Sequence, residues 1–113
     1  MATLVAVDIS RAGVVADGVA AAGGGDAFAN IGAEILLVKN GSVSSINVTL
    51  VTQATVDGNA VADPVVAVGA GVTKAIGPFP RYIFNDANGL VQVTYSGVTT
   101  VTVKVLKLTP AAS

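Results

Sequence analysis

The sequence predicts an all-β chain: an antiparallel β-sandwich, jelly-roll or Ig-like, with an extended N-terminal arm. Three observations predict it. Val and Thr are abundant; both are stiff at χ1 and favour a pleated strand over a helix. Apolar and polar residues alternate through several short runs, and no window keeps a 3.6-residue apolar period. Clusters of Gly, Asn, Asp and Pro punctuate the chain every ~8–12 residues, which gives about eight short strands at the spacing of sandwiches and barrels.

Along the chain, Thr3 to Ile9 is the first strand. Residues 10–25 are almost all Ala, Gly and Val, and the run Gly23-Gly24-Gly25 rules out a stable helix there. Residues 1–25 are therefore expected as an arm with one short strand near Val14, and residues 26–113 as the sandwich. Asp26 to Gly32 reads as a turn pinned by Phe28. Ala33 to Lys39 is apolar on both faces, hence a central strand. Asn40-Gly41-Ser42 is a turn signal, and Ile46 to Thr52 follows with Ile46, Val48 and Leu50 inward. These two strands are expected to form an antiparallel hairpin. Asp57-Gly58-Asn59 is another turn, and Asp63-Pro64 ends a short piece. Val65 to Val68 and Val72 to Ile76 are short strands around Gly69-Ala70-Gly71. Gly77-Pro78-Phe79-Pro80 is an extended, unpaired edge, and Arg81 to Phe84 resumes a strand. Asn85 to Gly89 is a hairpin loop. Leu90 to Ser96 places Val91, Val93 and Tyr95 on one face. Val98 to Leu108 is the longest strand, with Val101, Val103 and Val105 inward, and Thr109 to Ser113 is a tail.

Composition narrows the function classes. The chain of 113 residues has no Cys and no His, so it holds no Ser-His-Asp triad, thiol nucleophile, disulfide or common zinc site. Charged residues make up 12%, about half the usual ~25%. Such a surface does not depend on charge for solubility and suits covering by a neighbour. The net charge is −1 with Lys and Arg dispersed, which argues against a nucleic-acid partner. No apolar run approaches the ~18 residues of a membrane span, and Met1-Ala2-Thr3-Leu4 lacks the basic start of a secretory signal. An intracellular product is expected.

The candidate chemical motifs have simpler readings. Asn85-Asp86-Ala87-Asn88-Gly89 resembles a calcium loop only faintly, lacking the distant bidentate Glu; a hairpin turn explains it. Asp57, Asn59 and Asp63 read as turn formers, not a cation site. Gly23-Gly24-Gly25-Asp26 lacks the helix and Lys of a phosphate loop. Asn47-Val48-Thr49 is a chance sequon in a strand. Glu34, on an apolar strand, is read as a lone buried acid or, the reading preferred, as pointing to solvent at the strand's start, and no carboxylate pair for glycoside chemistry is read. Hence no catalytic residue, metal, cofactor or small-molecule substrate is expected. The segment from Phe79 to Phe84 holds three of the chain's five aromatics and an Arg. Tyr and Arg are enriched at binding hot spots and Pro stiffens the edge; equally, alternate residues there could cap the core. The partner-contact candidates are Phe79, Arg81, Tyr82 and Phe84, with Val14 and Val15 in the arm.

The runs from Gly25 to Gly32, Leu37 to Gly41, Val48 to Leu50, Val56 to Gly58, Ile76 to Pro80 and Gly89 to Thr99 resemble small structural proteins of tailed-bacteriophage head modules. The resemblance lies in turn and strand signatures from about Gly25 to Leu108. It implies a capsid decoration (cement) or accessory protein on the virion exterior, made in the host bacterial cytoplasm. The implied partners are the major capsid protein and two further copies in a homotrimer. It carries over no catalytic residue and matches no single coat-contact residue. Other head or tail components, and a glycan- or cell-surface-binding sandwich, are the alternatives.

Overall fold

The computed structural model describes residues 2–15 and 17–108. The expected tail from Thr109 to Ser113 lies outside the described residues. Twelve strands and one helical turn follow in order: β1 (Ala2–Leu4), β2 (Val7–Asp8), β3 (Val19–Ala20), β4 (Asp26–Ala29), β5 (Glu34–Asn40), β6 (Ile46–Val51), β7 (Thr55–Val56), β8 (Asn59–Ala60), β9 (Val65–Val68), β10 (Thr73–Ile76), α1 (Arg81–Phe84), β11 (Leu90–Tyr95) and β12 (Val101–Lys107). One sheet has the order β1-β4-β11-β6-β9; the other has β10-β5-β12-β2, with β3 also on β12.

Without β1, β2 and the small β7–β8 hairpin, eight strands remain, ordered β4-β11-β6-β9 and β3-β12-β5-β10. Counted along the chain, these are orders 2-7-4-5 and 1-8-3-6, the jelly-roll arrangement. Every pairing within this set is antiparallel. The two parallel pairings, β1 with β4 and β2 with β12, both come from the first eight residues. The two main sheets are therefore mixed, and every pairing outside the first eight residues is antiparallel.

The core is built by the alternation the sequence carries. Ile46, Val48 and Leu50 of β6, Val91 and Val93 of β11, Leu36 and Val38 of β5, and Val101, Val103 and Val105 of β12 are buried between the sheets. Each such side chain contributes about 1.5–3 kcal/mol by leaving water. The outward residues Ile35 and Leu37 of β5 are half-buried. β5 lies centrally, between β10 and β12. The molecule measures 42 × 41 × 20 Å; the short dimension suits two sheets stacked ~10 Å apart with their side chains.

Five expectations about elements are corrected. The hairpin of β5 and β6 is absent: the two strands lie in different sheets. Asn40, fully buried, makes the link between them a crossing. Its amide nitrogen donates to the Ser44 and Val68 carbonyls at 2.8 and 3.0 Å, and its oxygen accepts from the Ser42 N–H and hydroxyl at 3.0 and 2.6 Å. Asp26 to Ala29 is strand, not turn, because Phe28 fills the core and the buried Asp26 accepts the hydroxyl of the half-buried Tyr95. Arg81 to Phe84 is a helical turn, described below. The longest strand begins at Val101, not Val98, since the backbone turns at Thr100 with φ 51°. Glu34 is buried, not solvent-facing; its Oε1 accepts the Ile31 and Ala33 N–H groups at 2.9 and 3.0 Å.

The N-terminal segment is also placed differently from a free arm. The expected strand from Thr3 to Ile9 breaks after Leu4: β1 extends one sheet and β2 the other. Leu4 and Ala21 belong to the same buried cluster as the sandwich. No strand lies at Val14; the short strand is β3, where Gly18 sits so close to Val103 that a Cβ would fall 2.0 Å from its carbonyl oxygen.

Candidate interaction surface

The segment from Gly77 to Phe84 joins β10 of one sheet to β11 of the other. Pro80 opens a single helical turn, its carbonyl accepting the Ile83 and Phe84 N–H groups, both at 3.1 Å. A Pro at this position loses nothing, because the first N–H groups of a helix have no internal partner. The five-residue offset between Phe79 and Phe84 lets both rings enter the core. Phe79 meets Phe28 edge-on at 5.4 Å and Phe84 at 5.6 Å. Phe79 is 2% exposed and Phe84 8%. Those two partner-contact candidates are core residues, so the core-capping reading describes them, and the surface left to this segment is Arg81 and Tyr82.

Tyr82 is 82% exposed, and Arg81 beside it is exposed as well. Their backbone is held from three sides. The Ile83 carbonyl accepts the Gln53 and Ala54 N–H groups at 2.7 and 3.2 Å. The Asn30 side-chain amide donates to the Phe79 carbonyl at 2.7 Å and to Asn85 Oδ1 at 2.7 Å. Asn85 returns a bond to the Asn30 carbonyl at 2.9 Å. A Tyr–Arg pair held outward on an anchored turn has little entropy left to lose to a neighbour.

The other two candidates sit elsewhere. Val14 is half-buried and Val15 is 70% exposed, on the loop between β2 and β3 at the β12 edge. Sequence reasoning therefore grouped residues that the fold places in three settings: core, helical turn and edge loop. It missed the buried polar groups that hold the ends of the sandwich: Asn30, Asn40, Glu34 and the Asp26–Tyr95 pair. Asn and Asp beside Gly read as turns, and no local signal says that their side chains bond residues far along the chain.

The remaining motifs are engaged internally. Asp86 accepts from Gln92 Nε2 at 2.9 Å, the Leu90 N–H at 3.0 Å and the Asn88 N–H at 2.8 Å. These bonds, Gln92 first, hold its carboxyl below the usual carboxylate range. Asp63 Oδ1 accepts the Thr52 N–H and hydroxyl, both at 2.9 Å. Asp57 and Gly58 both have positive φ, 52° and 80°, as a two-residue hairpin turn requires. Among the described residues, no three carboxylates come together as a metal set, and no helix is long and apolar enough to cross a membrane. A shallow groove of about 470 Å³ lies along Ile35, Ala75, Pro78 and Leu108.

No protein-family model matches the chain, and neither a curated protein nor a solved structure does.

Proposed function

We propose that this chain is a structural virion protein that decorates and stabilises a phage capsid by bridging coat subunits. The observation that carries the reading is the surface. Charges are few, and Val5, Val15, Ile31, Val43, Val65 and Tyr82 stand exposed around a rigid, well-packed slab. Covering such a surface desolvates little charge. Many modest contacts repeated over a symmetric shell give avidity without a strong single site. The jelly roll is a fold that viral structural proteins use, and that is an argument by analogy of fold. In this reading Arg81 and Tyr82 contact one coat subunit and Val14 and Val15 another, so the slab ties the two and raises the barrier to rupture.

Mass spectrometry of purified virions tests the proposal. The expected result is a copy number of the same order as the coat protein, with occupancy falling for Tyr82→Ala and Val15→Asp. Absence from particles overturns it. A handful of copies per particle points instead to a head-completion or tail component.

A further inference from the structure

We propose that Asn88 is a site of spontaneous modification, converting in place to aspartate and isoaspartate, while the fold shields the chain's other Asn-Gly pair. The inference is independent of the capsid reading. An asparagine followed by glycine is chemically labile. The glycine main-chain nitrogen attacks the asparagine Cγ and forms a new C–N bond. The bond from Cγ to the side-chain nitrogen breaks, and that nitrogen leaves as ammonia with the proton from the glycine N–H. Water then opens the cyclic imide at either carbonyl, which gives aspartate or isoaspartate. Glycine favours the attack because no Cβ crowds its nitrogen. The sequence holds two such pairs, Asn40-Gly41 and Asn88-Gly89. The dipeptides are the same, so the fold alone sets them apart.

At the first pair both reacting groups are held. Asn40 is fully buried. Its side-chain nitrogen donates to the Ser44 and Val68 carbonyls, and its oxygen accepts the Ser42 N–H and hydroxyl. The Gly41 N–H, the nucleophile, donates to the Thr100 carbonyl at 2.9 Å. The packing is tight enough that a Cβ on Gly41 would fall 2.9 Å from the same oxygen. Ring closure at Asn40 has to break these bonds inside the crossing from β5 to β6, so it waits on local unfolding.

The second pair is open. Asn88 is exposed in the turn between α1 and β11, and its side-chain amide makes no hydrogen bond among the described residues. The Gly89 N–H has a single bond, to the Asp86 carbonyl at 3.0 Å, within the same exposed turn. Such a bond opens without disturbing the sheets. The reaction then reaches further into the molecule. The Gly89 carbonyl accepts the Asn30 N–H at 3.1 Å and the Asn85 side-chain amide at 3.4 Å. Asn30 and Asn85 bond each other, and Asn30 also holds the Phe79 carbonyl. Isoaspartate lengthens the main chain just before Gly89. It also sets a new carboxylate near Asp86, whose Oδ1 accepts the Asn88 N–H at 2.8 Å. The Gly89 carbonyl loses its place opposite Asn30, and the network that anchors the Tyr82 turn loosens.

The full chain is held for days in mildly alkaline buffer, folded in one sample and unfolded in urea in the other, and then mapped by peptide mass spectrometry. In urea both pairs are expected to convert at comparable rates. In the folded chain Asn88 is expected to convert, with Asn40 slower by at least about a hundredfold because it reacts only from an opened state. Amide exchange at Asn30 in the aged, folded protein is expected to rise about five- to tenfold, the effect of losing one hydrogen bond. In Asn88→Gln, whose longer side chain closes the ring far more slowly, exchange at Asn30 is expected to stay at its starting value. A folded chain in which Asn40 converts as fast as Asn88, or in which Asn88 stays intact while it converts in urea, overturns the proposal. Conversion at Asn88 with exchange at Asn30 unchanged overturns the link to the Tyr82 turn.

Discussion

Tyr95→Phe removes one oxygen atom from the end of the sandwich, and its effect can be worked out from the atoms around it. The Tyr95 hydroxyl donates to Asp26 Oδ2 at 2.7 Å. The same oxygen accepts the Ala22 N–H at 3.3 Å, while Oδ1 is buried without a partner. Asp26 itself is 0% exposed. Phenylalanine would leave this carboxylate with a single long hydrogen bond. A hydrogen bond to a charged group is worth ~1.5–3 kcal/mol, and because Tyr95 is only half-buried, water can replace part of it; about 1.5 kcal/mol is expected in urea unfolding at pH 7. A second signature appears in alkali. Burial, then the bond to Asp26, then the Asp26 charge push the Tyr95 hydroxyl above the ordinary tyrosine value. The unfolded chain gives up this proton near pH 10, while the folded chain keeps it. The folded state then binds more protons, so stability is fully present below pH ~10 and falls as pH rises beyond it, by at most ~1.4 kcal/mol per pH unit. Solvent screening of the partly exposed ring shortens the pH range over which this slope applies. Every other group is common to both proteins, so the difference between wild type and Tyr95→Phe isolates the pair. Equal stability at pH 7 together with parallel curves from pH 9 to 12 would refute the reasoning.

Phe79→Ala should cost ~3–5 kcal/mol, as for large-to-small changes in a packed core, whereas Tyr82→Ala should stay within ~0.5 kcal/mol; urea midpoints measured side by side decide whether the two aromatics differ as their burial requires. Asn40→Ala removes both donors and the acceptor that fix the β5–β6 crossing, and a loss of about 2–3 kcal/mol is expected, since it leaves the Val68 carbonyl with only the long Ser45 hydroxyl bond, at 3.4 Å, from a side chain; a loss below ~0.5 kcal/mol would mean that the crossing does not need this side chain. Gly18→Ala drives a methyl into the Val103 backbone. It should detach β3 and speed amide exchange at Ala21, whose N–H bonds the Val101 carbonyl at 3.0 Å; unchanged exchange there would show that the backbone yields elsewhere.

The parts of this fold that were legible in the sequence are those set by nearest-neighbour rules. In β6, β11 and β12 the side-chain period of two sorts Ile46, Val48, Leu50, Val91, Val93, Val101, Val103 and Val105 to the core without knowledge of the partner strands. The turns at Asp57-Gly58 and Gly69-Ala70-Gly71 follow from local backbone preference. What could not be read was partner choice. Asn40-Gly41-Ser42 is the same turn signal whether the next strand folds back in its own sheet or crosses to the other. Here the crossing is held by a hydrogen bond from the Asn40 side-chain amide to the Val68 carbonyl, 28 residues away. The short edge strands β1, β2 and β3 have the same cause: in Ala- and Gly-rich sequence little but pairing with a distant strand makes them β.

The interaction surface was half legible for a related reason. An aromatic-rich stretch has the same composition whether it is a contact or a core plug, and the fold buries Phe79 and Phe84 of this one while it leaves Arg81 and Tyr82 exposed. Proline decides the division. Pro80 directs the chain into one helical turn instead of a strand, so alternation no longer governs which side chains share a face. In a strand, Tyr82 and Phe84 would point the same way and Phe79 and Arg81 would pair with them in opposite registers. In the helical turn, Phe79 and Phe84 converge inward, and Arg81 and Tyr82 are left outward. The packing that buries the two phenylalanines is then what holds Tyr82 still. A core substitution at Phe79 that keeps the chain folded should therefore also weaken whatever Tyr82 touches, and Phe79→Leu is the variant that tests this link. Unfolding measurements on it give the loss of core stability, and binding to the partner surface gives the loss of preorganisation. If binding is unchanged in a chain that is folded but measurably less stable, the turn is held by Asn30 and the Ile83 carbonyl alone, and the aromatic cluster plays no part in presenting the contact.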